Sequence, residues 1–214
     1  MKNSCNIILK SSLVFSFLMI FGWNNAQEKK IFEHTYTLFK DIKPNEKLDY
    51  WAVYFFDGDN FQLLKQVGAK KDIEKSENGF LKSSADNSYY YIITDKAGKK
   101  NMITDDAGLK KFIGKIDNVQ EVTILLLLKG YFIDEEYQSI AGNYSEDKEN
   151  YYLHLGQISS ENCPFAKQSV SITIDKTTGI ETKTDVGKVY FEKYRKECKN
   201  NPHQQYKLNI KKQQ

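Results

Sequence analysis

Several short motifs that identify enzymes are missing from this sequence. It has no G-x-S-x-G nucleophile elbow, no G-x-x-x-x-G-K-[ST] phosphate loop and no G-x-G-x-x-G dinucleotide fingerprint. Its three histidines, His34, His154 and His203, lie far apart and form no H-E-x-x-H pair. Metal-dependent hydrolysis therefore has no support in the sequence, and no motif indicates a cofactor.

Cysteine is also scarce, with Cys5, Cys163 and Cys198 the three in the chain. A zinc site would show about four ligands at tight spacings, and a redox pair would read C-x-x-C. A nucleophilic Cys163 would need a base, for which His154 is the nearest histidine in sequence. In an oxidising compartment we expect Cys163 and Cys198 to form a structural disulfide, with free thiols or redox or metal chemistry as the alternatives.

Apolar runs of membrane length are absent after the N-terminus. The run at 122–128, for example, has seven residues and is too short to span a bilayer. Residues 1–26 combine the positive Lys2, a short apolar core at 13–23 and Ala26 at a cleavage position, which is the pattern of a secretory signal peptide. Cys5 precedes the apolar core, which excludes a lipoprotein signal. We expect a periplasmic or extracellular protein with no integral membrane span after cleavage; a retained N-terminal anchor is the alternative.

An excess of one charge is missing as well. Cleavage after Ala26 would remove Lys2 and Lys10 from the 31 basic residues and none of the 28 acidic ones, leaving a net charge near +1. Proteins that bind nucleic acid show a strong basic excess, so we expect no nucleic-acid partner. The ordinary composition without low-complexity tracts indicates a globular fold.

The pattern along the chain predicts an α+β fold, with antiparallel β-hairpins at both ends and about two central α-helices. We divide it into a β-rich N-terminal region at 27–84, an α+β region with a C-terminal hairpin at 85–198 and a polar basic tail at 199–214. A bond between Cys163 and Cys198 would clamp the outer ends of the C-terminal hairpin.

Individual elements follow from periodicity and turn residues. Helices are expected at 105–116, capped by Thr104 or Asp105, and at 119–133, where a strand is the alternative. Loops are expected at 70–84, where a short helix is the alternative, and at 134–150. Strands are expected at 34–42, 50–56, 61–67 (or a short helix), 89–93, 100–103, 151–159, 169–175 and 181–194, the last with a bulge at Gly187.

Three clusters of polar residues invite a functional interpretation. Asp57, Asp59 and Asn60 surround a glycine, but their spacing does not fit a calcium loop and indicates a hairpin turn. Asp134-Glu135-Glu136 is typical of a solvated loop rather than of a catalytic carboxylate pair. Asn143 begins an N-x-S glycosylation sequon.

Tyrosine is the abundant residue that bears on function, because tyrosines on a sheet can form a binding face for a protein or a glycan. We therefore expect a non-enzymatic binding or interaction module. The alternative is an exported hydrolase with a hidden active site, which a deep pocket joining His154 to two carboxylates would favour. The strand tyrosines are Tyr50, Tyr54, Tyr89, Tyr90, Tyr91, Tyr151 and Tyr152.

Overall fold

The computed structural model describes residues 28–69, 75–83, 85–199 and 201–202. The predicted signal peptide, Cys5, His203 and most of the predicted tail lie outside the described residues. The strands are β1 (Lys30–Ile31), β2 (Tyr50–Phe56), β3 (Phe61–Val67), β4 (Phe80–Ser83), β5 (Ser88–Lys96), β6 (Lys99–Ile103), β7 (Gly142–Glu146), β8 (Asn150–Ser160), β9 (Phe165–Asp175) and β10 (Glu181–Lys193). The helices are a 3₁₀ helix (Thr35–Lys40), α1 (Asp106–Ile113), α2 (Val119–Leu127) and α3 (Gln138–Ala141).

Sheet 1 is antiparallel throughout, in the order β1-β7-β8-β9-β10. The expected alternation in β9 is confirmed, since Val170, Ile172 and Ile174 are buried while the intervening residues are partly exposed. The pairing of β9 with β10 shifts register between Val186 and Val189, which is the bulge predicted at Gly187. The C-terminal hairpin therefore forms as predicted.

Sheet 2 runs β3-β2-β5, and β4 and β6 share the other edge of β5. The turn between β2 and β3 is built on Asp57, whose Oδ1 accepts the N–H groups of Asp59 and Asn60. Gly58 takes φ +97°, a backbone angle that glycine adopts freely. The segment at 61–67 is thus a strand, and the interpretation of 57–60 as turn chemistry agrees with its geometry.

Helices α1 and α2 form where the sequence predicts them, each with an N-cap side chain. Asp105 accepts the N–H of Gly108, and Asn118 accepts the N–H of Glu121. The second helix ends at Leu127, earlier than the expected residue 133. The Glu121 side chain does not bond to the backbone N–H of its N-cap residue, Asn118. Its two carboxylate oxygens instead accept the N–H groups of Lys43 and Asp117, at 2.8 and 2.7 Å.

One hydrophobic core contains apolar side chains from both sheets, from α1 and α2 and from the 3₁₀ helix. A second cluster lies on the opposite face of sheet 2. Among the described residues, no helix has the length and apolar content needed to cross a membrane.

The fold contains more β-structure than expected, and three predictions were wrong. The segment predicted as a strand at 34–42 is the 3₁₀ helix, because Leu38, Phe39 and Ile42 all turn into the core. The acidic stretch at 134–150 holds α3 and β7 instead of a loop, because the backbone of 142–146 pairs with β8. The stretch at 70–84 contains β4, which pairs with β5 through Phe80.

Candidate functional site

The disulfide between Cys163 and Cys198 lies where the pairing of β9 with β10 ends. The Cα atoms of the two cysteines are 5.4 Å apart, and the bond joins the chain just before β9 to the turn after β10. It therefore clamps the outer ends of the C-terminal hairpin.

The turn after β10 is held by hydrogen bonds around Cys198. The N–H of Arg195 donates to Cys198 Sγ at 3.2 Å, and the N–H of Cys198 donates to the Arg195 carbonyl at 3.1 Å. The side-chain amide of Asn201 donates to the same carbonyl at 3.0 Å, and its N–H donates to the Cys198 carbonyl at 3.0 Å. The position of Arg195 thus depends on Cys198.

Beside the disulfide, aromatic and cationic side chains alternate on one face of sheet 1. The register pairs Phe165 with Lys193 and Lys167 with Phe191, so each phenylalanine lies opposite a lysine on the neighbouring strand. With Arg195 these four side chains line a cavity of about 350 Å³, which we name the Phe–Lys groove. The two phenyl rings meet edge to face, with centroids 6.4 Å apart.

Lys167 forms the floor of the groove and is already neutralised. Its Nζ lies 2.9 Å from Asp134 Oδ2, and its side chain is 20% exposed. The same Nζ lies 5.1 Å from the ring centroid of Phe191, 5.6 Å from that of Phe132 and 6.0 Å from that of Tyr137. Cation–π attraction and the ion pair together fix the ammonium group.

Asp134 is the buried anchor of this arrangement. Its Oδ2 also accepts the hydroxyl of Tyr190 at 2.7 Å, and its Oδ1 accepts the N–H groups of Glu136 and Tyr137 at 3.2 and 3.3 Å. Burial alone would raise the pKa of Asp134, but the bonds from Lys167 and Tyr190 outweigh it and hold that pKa below its ordinary value. Burial and the bond to Asp134 raise the pKa of Tyr190. At neutral pH the carboxylate is charged and the phenol is not.

Lys193 and Arg195 are the uncompensated charges of the groove. Both are exposed, and neither side chain has an ion-pair partner among the residues that the structure describes. The side chains that line the groove include no carboxylate, and the nearby Glu192 accepts the hydroxyl of Tyr194 at 3.1 Å. The groove can therefore hold an anion beside a flat apolar surface.

No protein-family model, curated protein or solved structure matches this chain.

His154 lies outside the groove, on the outer face of sheet 1. Strand register places it in one row with Asn143, Ser171 and Asp185, and its Nδ1 lies 2.9 Å from Ser171 Oγ. Burial lowers the pKa of His154. Ser171 is its one hydrogen-bond partner among the described residues, and no carboxylate there forms a hydrogen bond or ion pair with it.

The other polar candidates also separate. His34 pairs with Glu135 at 2.8 Å, with both side chains about half exposed. The prediction of a solvated loop at 134–136 was wrong for Asp134, which is 4% exposed, and right for its two exposed neighbours. Within the described part of the chain, no group of three or more His, Cys, Asp or Glu side chains could hold a metal ion.

Most of the strand tyrosines are packing residues. Tyr50, Tyr54, Tyr89 and Tyr91 share one face of sheet 2 and are at most 6% exposed. Tyr90 and Tyr151 belong to the main core, and the hydroxyl of Tyr152 donates to Asp147. These tyrosines pack together, whereas the aromatic side chains that line the groove are the partly exposed Phe165 and Phe191.

The groove was not predicted from the sequence, although its residues form a recognisable pattern there. Aromatic and basic residues alternate in "FAK" at 165–167 and in "FEKYR" at 191–195, and each segment lies within three residues of a cysteine. Alternation on paired strands puts such residues on one face. Nothing in the local sequence marks Asp134 or Tyr190, because their partners are distant in the chain.

Proposed function

We propose that this protein is an exported, non-enzymatic binding module whose Phe–Lys groove takes an acidic saccharide. The observation that carries the proposal is that two phenyl rings and two uncompensated cations, Lys193 and Arg195, line the same groove, which is lined by no carboxylate. A sugar ring has an apolar face that can lie on a phenyl ring, and its carboxylate would meet the cations.

The size of the groove supports a small ligand or one end of a chain. Ligand pockets run from about 300 to about 1,000 Å³, and the groove holds about 350 Å³. That volume suits one or two rings rather than an extended surface.

The edge strand β10 of sheet 1 is poorly suited to bind a peptide. Peptides commonly bind by adding a strand to a free edge, which needs a regular backbone. β10 shifts register at three places, Glu181/Lys183, Val186/Val189 and Val189/Phe191, and its exposed side chains include several charges. Bulges and charges are the devices by which proteins block strand addition.

Isothermal titration of the purified protein with oligogalacturonate tests the proposal, with the methyl-esterified oligomer of equal length as the neutral control. The acidic oligomer should bind, and added salt should weaken binding by screening the exposed cations. Removing one cation, as in Lys193→Gln, should lower the association constant by about tenfold, or about 1.4 kcal/mol. Lys188→Gln, an exposed lysine of the same strand outside the groove, is the matched control.

Phe191→Leu tests whether binding needs the flat phenyl ring or only an apolar contact, because leucine is apolar but has no flat face. We expect weaker binding of the acidic oligomer by this variant. The proposal is wrong if the esterified oligomer binds equally well, or if Lys193→Gln and Lys188→Gln bind alike.

A further inference from the structure

We propose that the Cys163–Cys198 disulfide is a redox switch for the Phe–Lys groove, an inference that rests on the function proposed above. The oxidised protein has a complete groove, and the reduced protein keeps its fold but loses the cation supplied by Arg195.

The disulfide touches both sides of the groove. Cys163 lies two positions before Phe165, the first residue of β9, and Cys198 lies three positions after Arg195. The β9–β10 ladder ends at the pair Phe165 and Lys193, so no strand pairing fixes Arg195. Among the described residues, the hydrogen bonds to the Arg195 backbone come from Cys198 and Asn201, and Asn201 itself bonds to Cys198.

The rest of the groove is held without the disulfide. Lys167 is fixed by Asp134 and by aromatic rings, and Lys193 pairs with Phe165 at the end of the β9–β10 ladder. Neither hydrophobic cluster contains Cys163 or Cys198, although Cys198 is buried. Breaking the bond should therefore release the turn at 195–198 while the sheets remain.

The chemistry needs an external dithiol, and the accessibility of the two cysteines sets its course. Cys163 is exposed whereas Cys198 is 1% exposed. A thiolate of the dithiol attacks the Cys163 sulfur and forms a mixed disulfide, and the Cys198 sulfur leaves as a thiolate. The second thiol of the reductant then displaces Cys163, so the reductant is oxidised to a disulfide and the protein is left with two thiols.

In a reducing compartment the chain would carry an incomplete groove, and oxidation after export would complete it. The bond would thus restrict ligand binding to the oxidising side of the membrane.

The experiment compares oligogalacturonate binding by the oxidised protein, the dithiothreitol-reduced protein and the Cys163→Ser/Cys198→Ser variant. Mass spectrometry counts the free thiols, and circular dichroism reports whether the sheets persist. We expect the reduced protein and the serine variant to bind at least tenfold more weakly than the oxidised protein, with an unchanged far-ultraviolet spectrum.

Arg195→Gln tests the route by which the switch acts. In the oxidised state this variant should bind as weakly as the reduced wild type, and its reduction should cause little further loss. Equal affinity of fully reduced and oxidised wild type would overturn the switch, as would unfolding of the sheets on reduction. If the oxidised protein itself does not bind oligogalacturonate, the proposed function is wrong, and so is the switch that rests on it.

Discussion

Replacing Asp134 with alanine should destabilise the protein by about 3 kcal/mol. The carboxylate accepts four hydrogen bonds, one from the Lys167 ammonium and one from the Tyr190 hydroxyl. Removing one partner of a buried ion pair costs about 3–5 kcal/mol, because the other charge is left without compensation. Lys167 is 20% exposed and can turn towards water, which places the expected cost at the lower end of that range.

Urea denaturation of four proteins measures this cost and its origin: the wild type, Asp134→Ala, Lys167→Met and the double variant. Methionine keeps much of the lysine stem and its contact with the aromatic rings, but it removes the charge. If the ion pair is the cause, the double variant should be less destabilised than the sum of the two single variants by about 2 kcal/mol. Single-variant effects that add to within about 0.5 kcal/mol would refute the reasoning.

The pH dependence of the same stability difference gives an independent check. The pKa of Asp134 in the folded protein lies below its unfolded value of about 3.9. The charged carboxylate therefore adds stability at pH values above about 4, and this contribution is lost as pH falls through the folded pKa. The difference between wild type and Asp134→Ala should be constant near neutral pH and shrink in acid.

Three further predictions concern other parts of the fold. Glu121→Ala removes a fully buried carboxylate and leaves the N–H groups of Lys43 and Asp117 without it as acceptor, which should cost about 2–4 kcal/mol in urea denaturation; a smaller loss would mean that water replaces the carboxylate. Asn143 is 1% exposed and donates to the Gln138 carbonyl, so a glycosyltransferase should modify the urea-unfolded chain but leave the mass of the folded protein unchanged. At Gly187 an added Cβ would lie 2.2 Å from Ser169 Oγ, so Gly187→Ala should cost about 1 kcal/mol and Ser169→Ala should recover part of it; no recovery would contradict this contact.

The sequence predicts well those elements whose signal is local. The hairpin of β9 and β10 follows from strict alternation and from the glycine turn at 179, where φ is +68°. Helix α1 follows from the apolar face of Leu109, Phe112 and Ile113 with Asp105 as its cap. In each case residues a few positions apart contain all the information that is needed.

The groove could not be predicted because its supports are distant in the chain. Asp134 lies 33 positions from Lys167 and 56 from Tyr190, and only the fold brings them within 3 Å. The acidic composition around Asp134 predicts exposure, while its burial depends on β9 and β10. The expectation of a tyrosine binding face arose because aromatic content alone does not distinguish a packed face of a sheet from an exposed one.

The three cations of the groove are held by three different kinds of interaction. Lys193 is fixed by strand pairing, Lys167 by a buried carboxylate and Arg195 by the turn around the disulfide. Acid should therefore weaken the support of Lys167 and a dithiol that of Arg195, while neither disturbs Lys193. The disulfide, which the sequence indicates as a structural bond, thus positions the cation of Arg195. Ligand affinity should therefore fall separately when the interaction that holds Lys167 or Arg195 is lost.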